Sequence, residues 1–597
     1  MASGGLWLFL AWAAAAATAA GTGPGTRASD WPHRVSIMPG FDVAWDFDTD
    51  AQNITFLVEA ATMGWVGIGL SPGGGMDGAD IATGWIRDGK PYFHDRYGVG
   101  NKVPVIDASQ DCTLLSLTQN GSHTALKFRR PFRTCDSQDM DITADSMRLI
   151  YACSDSVPES PTEMPIHERV YGVISVQILN YGRTLVPKLA NSSALNIVTN
   201  VTIPAIHTFY ACQLGKFPDF GEKVHVYMVE PIIWPGAARH VHHTLLHLCP
   251  ASYTDAMLSE PRDCNQDRYY GKLFMMCVEV LTGWAVGGNR RIIYPDEAGF
   301  SLGAAGDPRY YVLQVHYDNP SNIAGARDFS GFRLHYTTEL RRYDAGIIWT
   351  GLAVGASHLI PPTAPEYRSY GYCDLAPFSP EAGAVYPALN IIGGILHTHL
   401  LGSKVRLLQF RDGKLIRVML EDMNYDFNLQ EWRALREPVS VSRDDVLITE
   451  CIYKSTNRRV MTTGGPSTNQ EMCLSFLIYY PRMELVSCMS EVSLTDLAKA
   501  FNLSGLSNEQ LLSTLSGWKW NETLAKELER KVLVSSQTSV VVSRTGVKYV
   551  SVKIPNIPER KTTPCERMLY GRAPARTGRL VALLLTALLV WLSRGDG

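Results

Sequence analysis

Two histidine groups, far apart in the chain and each set among apolar residues, limit what this sequence can fold into. In the first, His397-Thr398-His399 closes the run Gly393-Gly394-Ile395-Leu396, and Asn469-Gln470-Glu471-Met472-Cys473 lies further along. Residues i and i+2 of a strand project from one face, so His397 and His399 can each offer an imidazole to one ion while Thr398 points away. A thioether such as Met472 would make that site soft and favour copper(I). The second group places four of the fifteen histidines within Arg239–His247, followed by His316 in Leu313–Pro320. Three imidazoles also suit copper, but adjacent His242 and His243 face opposite ways in a regular strand. Sharing an ion therefore requires a bulge or a strand end. A single histidine is more often a satisfied core or surface residue, whereas two separated clusters point to metal sites.

At 597 residues, 46% hydrophobic and 19% charged, the chain has room for three globular domains. A formal charge of −3 offers no basic stripe, which sets nucleic-acid partners aside. Residues 1–20, with Leu6–Leu10 running into an alanine tract, resemble a secretory signal peptide. Twelve cysteines and acceptor sequons at Asn53, Asn120, Asn191, Asn200, Asn502 and Asn521 agree with a lumenal or extracellular, oxidising compartment of the secretory pathway, the endoplasmic reticulum among them. No CxxC pair occurs, so disulfides are favoured over cysteine metal ligation.

Residues 580–592 form an uncharged stretch of thirteen residues, about 20 Å as a helix against roughly 30 Å of bilayer hydrocarbon. Arg572, Arg576 and Arg579 precede it and Arg594 follows, which argues against a simple type I helix. A glycolipid-anchor signal, with small residues near Gly571–Ala575, is the competing form of the expected membrane attachment.

Between Trp31 and Ile150, short apolar runs such as Ile54–Val58 and Trp65–Leu70 alternate with glycine, asparagine and aspartate turns, which predicts a β-sandwich. Gly64–Pro72 followed by Gly78-Ala79-Asp80-Ile81 resembles a DOMON domain, expected over 31–155. Some DOMON domains hold haem through a methionine and a histidine. Met76 or Met63 with His94 or His123 are the candidates here, weighed against a plain loop role for Met76 and a module for packing, dimerisation or weak ligand binding. Asp77, Asp80 and Asp95 are candidates for an oxygen-rich cation site, weighed against the capping of turns. After a linker over 165–204, strand-like runs recur at Val224–Val229, Tyr310–Val315, Val405–Leu408 and Asp445–Thr449. Beyond Cys488 the character turns helical, with a capping box at Ser507–Gln510.

Val241-His242-His243, Gly283–Gly288, Tyr294–Gly299, Val315-His316-Tyr317, Leu396–Leu400 and Glu471-Met472-Cys473 together resemble the copper type II, ascorbate-dependent monooxygenases over about Tyr210 to Cys488. Within that family the likeness is greatest to the dopamine beta-hydroxylase-like (MOXD) group, because it also covers the N-terminal module and the hydrophobic tail. The resemblance implies an all-β chain, a DOMON-like sandwich followed by two jelly-roll-like copper domains over 200–360 and 373–535 and a small helical C-terminal region. It implies two coppers per chain. His242, His243 and His316 would bind the electron-relaying copper, and His397, His399 and Met472 the catalytic copper that activates dioxygen, with ascorbate as reductant. It also implies the disulfides Cys212–Cys264, Cys249–Cys277, Cys373–Cys488 and Cys451–Cys473, leaving Cys112, Cys135, Cys153 and Cys565 unassigned.

His225, His240 and His247 are expected to be structural or to support ligands, and Asp318 is a candidate acceptor for the second nitrogen of His316, weighed against a plain turn over Tyr317–Pro320. Two departures limit the likeness. Asp374–Pro377 lacks the cysteine that follows the Cys373 equivalent in dopamine beta-hydroxylase, and Trp349 stands where that enzyme is acidic, which speaks against a catecholamine-type substrate. The function expected is hydroxylation of a C–H bond of a small organic substrate. A zinc hydrolase competes, but His243–His247 has zincin spacing without the glutamate of H-E-x-x-H. A non-catalytic binding protein that keeps the fold competes as well.

Overall fold

The computed structural model describes residues 27–559, apart from 168–169, 184–185, 188, 190, 265–266, 289–290, 377–387 and 544–545. The expected signal peptide, the 580–592 segment and Cys565 lie outside the described residues. Among the described residues, no helix is long and apolar enough to cross a membrane.

The chain folds into three β-sandwiches. In the first, His33–Met38, Phe41–Asp48, Asn53–Ala60, Thr124–Pro131 and Thr113–Gln119 form one sheet in that order. The facing sheet runs Val170–Val176, Met147–Ser154, Trp65–Ser71, Asp80–Arg87, Lys90–Tyr97, Val105–Ile106. Period-two alternation aims Phe41, Val43, Phe56, Val66, Leu126 and Leu149 into the space between them. Trp65–Ser71 is buried along its whole length because it is paired on both sides and covered on both faces.

The second sandwich carries Val241–Leu248 beside Tyr310–Asp318 in one sheet and Val224–Ile232 in the other. In the third, Leu389–His397 pairs with Leu474–Tyr480, and Tyr367–Asp374, Asp445–Tyr453, Gly402–Arg411 and Lys414–Asp422 form the facing sheet. Gly346–Leu352 falls inside the expected 200–360 unit, yet it pairs with Leu474–Tyr480 and with Leu485–Val492 in the third sandwich. Helices at Leu494–Ala500, Asn508–Ser516 and Glu522–Val534 follow, and the Ser507–Gln510 capping box is formed. The chain then returns to strand: Gln537–Ser543 and Gly546–Val552 extend the third sandwich's sheet, an addition to the helical region read from the sequence.

All four implied disulfides are formed: Cys212–Cys264, Cys249–Cys277, Cys373–Cys488 and Cys451–Cys473. Asn120, Asn191, Asn200, Asn502 and Asn521 are exposed and Asn53 is half-buried, so the sequons lie on the outside.

The three sandwiches meet along residues 422–433. Asp422 accepts from the Ser146 amide at 3.0 Å and the Ser146 hydroxyl at 2.6 Å, and pairs with buried Arg433, which also donates to the Ala144 carbonyl. The Met423 amide donates to Asp145 at 2.6 Å, Ser175 donates to Asp426, and Asn180 donates to the Trp432 carbonyl at 2.7 Å. On the other side, Gly287 adopts φ +85° with its α-carbon against the Asn428 carbonyl, where an added Cβ would lie 2.1 Å from that oxygen.

Candidate metal centres

The pairing of Val241–Leu248 with Tyr310–Asp318 slips by one residue. Val241 faces Tyr317 and His243 faces His316, which leaves His242 as the extra residue of a bulge. A bulge bends the strand and re-aims side chains, and here it turns two adjacent imidazoles the same way. The Nδ1 atoms of His242 and His243 lie 3.2 Å apart and those of His243 and His316 3.4 Å apart. One donor atom from each of the three falls within 4.8 Å of the others, the spacing of nitrogens about 2 Å from a shared ion. Tyr210, paired with His316 on the far side, stacks its ring on that imidazole at 4.1 Å and 2°.

Asp318 does not take the second nitrogen of His316. Its backbone amide donates to the His240 carbonyl, and His316 Nε2 is buried without a partner, so the Tyr210 stack, not a carboxylate, orients the ring. His225 is fixed by Asp344 at 2.7 Å and by the Arg341 amide at 2.9 Å, a structural role. His240 accepts from Arg239. His247 points elsewhere, its ring 6.3 Å from that of Trp349.

His397 ends its strand, and Thr398 and His399 continue beyond it, with ring centroids of the two histidines 5.1 Å apart. Thr398 is pinned by Tyr425, whose hydroxyl accepts from its amide at 3.1 Å and donates to its carbonyl at 3.0 Å. The Thr398 side chain turns against Gly402, where a Cβ would lie 1.7 Å from Thr398 Oγ1, so only glycine fits there. His397 Nδ1 faces Gln430 Oε1 at 2.5 Å, and Gln430 Nε2 donates to the Phe427 carbonyl, which sets the amide's orientation. His399 Nδ1 donates to the Gln470 carbonyl at 2.9 Å. With both Nδ1 positions carrying the hydrogen, the Nε2 lone pairs of His397 and His399 are free for an ion. Met472 is half-buried, and its carbonyl accepts from Tyr453 at 2.7 Å.

Glu471, fully buried, joins the two segments: Oε2 accepts from the His399 amide at 2.8 Å and Oε1 from the Leu401 amide at 2.6 Å. Burial pushes its carboxyl up to about 8 despite these bonds. Burial, reinforced by neighbouring imidazoles, pushes His242 down to about 4, His397 to about 3 and His316 to about 2 and lowers His243 likewise, while burial lowers His399 against the backbone bonds that favour its charged form. The imidazoles are therefore neutral near pH 7 and keep the lone pairs that a metal needs. These donors, three imidazoles in one cluster and two in the other, can hold copper.

The two groups share a wall. Phe427 stacks on His242 at 4.8 Å and meets His399 edge-on at 6.2 Å, and the Gln430 amide donates to the Val286 carbonyl, while the Val286 amide donates to the His242 carbonyl. From His397 the surface continues through Phe476 at 6.1 Å to Trp349, whose indole nitrogen is buried without a partner. Tyr210, Phe427, Gln430 and the role of Glu471 were not assigned from the sequence. Only Glu471, lying inside a quoted motif, carried a signal there.

In the first sandwich the structure separates two sets of candidates from their alternatives. Asp77 is exposed and accepts from the Gly100 amide, whereas Asp80 and Asp95 gather with Asp139 around the buried Arg130 guanidinium, so a cation the chain supplies itself occupies that place. His94 stacks on Trp85, His123 is bonded to its neighbour Ser122, and Met63 is exposed, so none of them meets Met76.

Comparison with known proteins agrees with this arrangement. Residues 196–324 match the family model of the copper type II ascorbate-dependent monooxygenase N-terminal domain, 343–501 that of its C-terminal domain, and 39–154 the DOMON domain. The chain is 39% identical over 487 residues to DBH-like monooxygenase protein 1 of Mus musculus, covering 81% of this chain and 78% of the relative. It is 36% identical to DBH-like monooxygenase protein 2 of the same species, covering 88% and 84%. It is 33% identical to dopamine beta-hydroxylase of Canis lupus familiaris, covering 80% and 76%.

Proposed function

The chain belongs to the copper type II, ascorbate-dependent monooxygenases, and from that premise we propose that it hydroxylates a C–H bond of a small organic substrate with dioxygen and ascorbate. We assign one copper to His242, His243 and His316 and a second to His397, His399 and Met472, two per chain. The observation that carries this reading is the pairing of three converging Nδ1 atoms in one cluster with two Nδ1–H groups tied back in the other. When bound, copper supplies electron transfer at the first centre and dioxygen activation at the second.

The protein's own groups do the rest. Gln430 and the Gln470 carbonyl hold the tautomers of His397 and His399, burial keeps the imidazoles unprotonated, and Phe427 stands against one ring of each cluster. Phe476 beside His397, with Trp349 packed behind it, forms an aromatic flank, which favours an apolar or aromatic substrate over a cationic amine. A zinc hydrolase is not favoured, since a catalytic zinc site makes no use of a thioether. We place the enzyme in the secretory-pathway lumen, attached to a membrane by 580–592, which release of the chain from membranes by high salt alone would refute.

The test is metal content by mass spectrometry for the native chain and Met472→Ala, with ascorbate-dependent oxygen uptake across aromatic, apolar and amine substrates. Two coppers, one weakened by Met472→Ala, are expected. Stoichiometric zinc, or no metal after copper loading, would overturn the proposal.

A further inference from the structure

The outer face of the six-stranded sheet of the first sandwich is unusual. Along paired strands, Trp65, Gly67 and Gly69, Ile150 and Ala152, Ile81 and Thr83, and Tyr171 and Val173 alternate onto one side, away from the core between the sheets. An outer sheet face is ordinarily polar, but this one is small and apolar, and two segments, Asn101–Pro104 and Met164–His167, lie over it. Between face and segments is a cavity of about 750 Å³, within the range of sites for small organic molecules. Its rim leaves Ile166 78%, Tyr171 59%, Val173 45% and Val103 41% exposed, a concentration of apolar surface at one mouth that isolated exposed residues do not make.

The charged or titratable groups that line this cavity are basic, Lys102 and His167, beside the phenols of Tyr151 and Tyr171 and the neutral polar side chains of Thr83 and Asn101. Lys102, exposed at the mouth, has no ion pair among the described residues, and no carboxylate lines the cavity. His167 Nδ1 is buried without a partner, with its ring against Tyr171 at 4.7 Å, and burial holds the imidazole below its ordinary range. A neutral imidazole and an ammonium beside an apolar hollow can satisfy an acceptor that carries negative charge.

We propose that this cavity binds an apolar carboxylic acid, its hydrocarbon body over Gly67, Ala152 and Met164 and its carboxylate between Lys102 and His167. The site is separate from the metal centres and does not depend on copper.

The test titrates the full chain with cis-parinaric acid, a polyene carboxylic acid that fluoresces in apolar surroundings, and with its methyl ester. Saturable binding of about one acid per chain is expected, with the ester and the charge-reversed Lys102→Glu each about fivefold weaker for the acid. Ala152→Phe, which fills the floor, should abolish binding of both probes. Val103→Trp, at the exposed mouth, should weaken both and tests the same point if Ala152→Phe fails to fold. Absence of saturable binding, or acid binding untouched by both filling variants, would overturn the site. Equal binding of acid and ester with no effect of Lys102→Glu would overturn the carboxylate assignment.

Discussion

Glu471→Gln should weaken the second metal centre without touching any of its proposed ligands. Glu471 has no exposed surface, and each of its oxygens takes one backbone amide, His399 at 2.8 Å and Leu401 at 2.6 Å. Glutamine has the same shape, but its NH2 must face one of those N–H groups, so one buried donor loses its acceptor and meets another donor. Leaving a buried amide unsatisfied costs about 1–3 kcal/mol, so Glu471→Gln should destabilise the fold by about that much and Glu471→Ala, which strands both, by about 2–6 kcal/mol. Because these two bonds hold the His399 segment against the Met472 segment, the same loss should loosen the second centre. We expect cuprous affinity there to fall about tenfold in Glu471→Gln, in the range seen when groups behind metal ligands are removed. The cluster of His242, His243 and His316 should keep its affinity. The assay is competitive titration with a cuprous chelator, with urea unfolding of the metal-free protein alongside. A Gln variant within twofold in affinity and about 0.5 kcal/mol in stability would refute the reasoning, since surface-like changes stay within that margin.

Tyr210→Leu, which removes the ring stacked on His316 at 4.1 Å, should lower affinity at the first centre by roughly tenfold and spare the second, read in the same titration. His358 is buried and neutral, held down to about 3 by burial first and by His399 second, while an unfolded histidine titrates near 6.5. The unfolded chain therefore binds a proton that the folded chain refuses below pH 6.5, so its contribution is intact above that pH and is lost as pH falls toward 3, up to about 4–5 kcal/mol. His358→Gln should flatten that part of the urea-stability profile of the metal-free protein, and an unchanged slope would count against it. Asp422→Ala strands buried Arg433 together with the Ser146 amide and hydroxyl and should cost at least about 3–5 kcal/mol, measured by urea unfolding, and a loss under about 1 kcal/mol would count against it.

Much of the site was legible because metal ligands are conspicuous: histidines among apolar residues announce themselves, and the need for a bulge at His242-His243 follows from strand geometry alone. The bulge itself depends on Val241 and His243 registering against Tyr317 and His316, more than seventy residues away. Long-range pairing of that kind leaves no local pattern. The same holds for Gly346–Leu352, whose apolar run reads equally well as the last strand of one sandwich or an inner strand of the next. Phe427 and Gln430 lie in an irregular segment with neither period two nor a motif, so their place between the clusters comes entirely from tertiary packing. Of the two readings of Asp318, proximity in sequence suggests an acceptor for His316, whereas the structure takes the other, a strand end running into the turn at Asn319.

Residues 422–433 bind Asp145 and Ser146 of the first sandwich, lie against Gly287 of the second, and carry the groups that face His397 and His242. Inheritance follows from that arrangement. A substitution at Ser146 or Asn180, in a module that holds none of the proposed copper ligands, would act on the proposed metal centres, and a survey that scores harm by distance from those centres would pass over it. The three modules are mutationally one locus, and the proposed pair of metal centres cannot be transplanted while the domain that braces it stays behind.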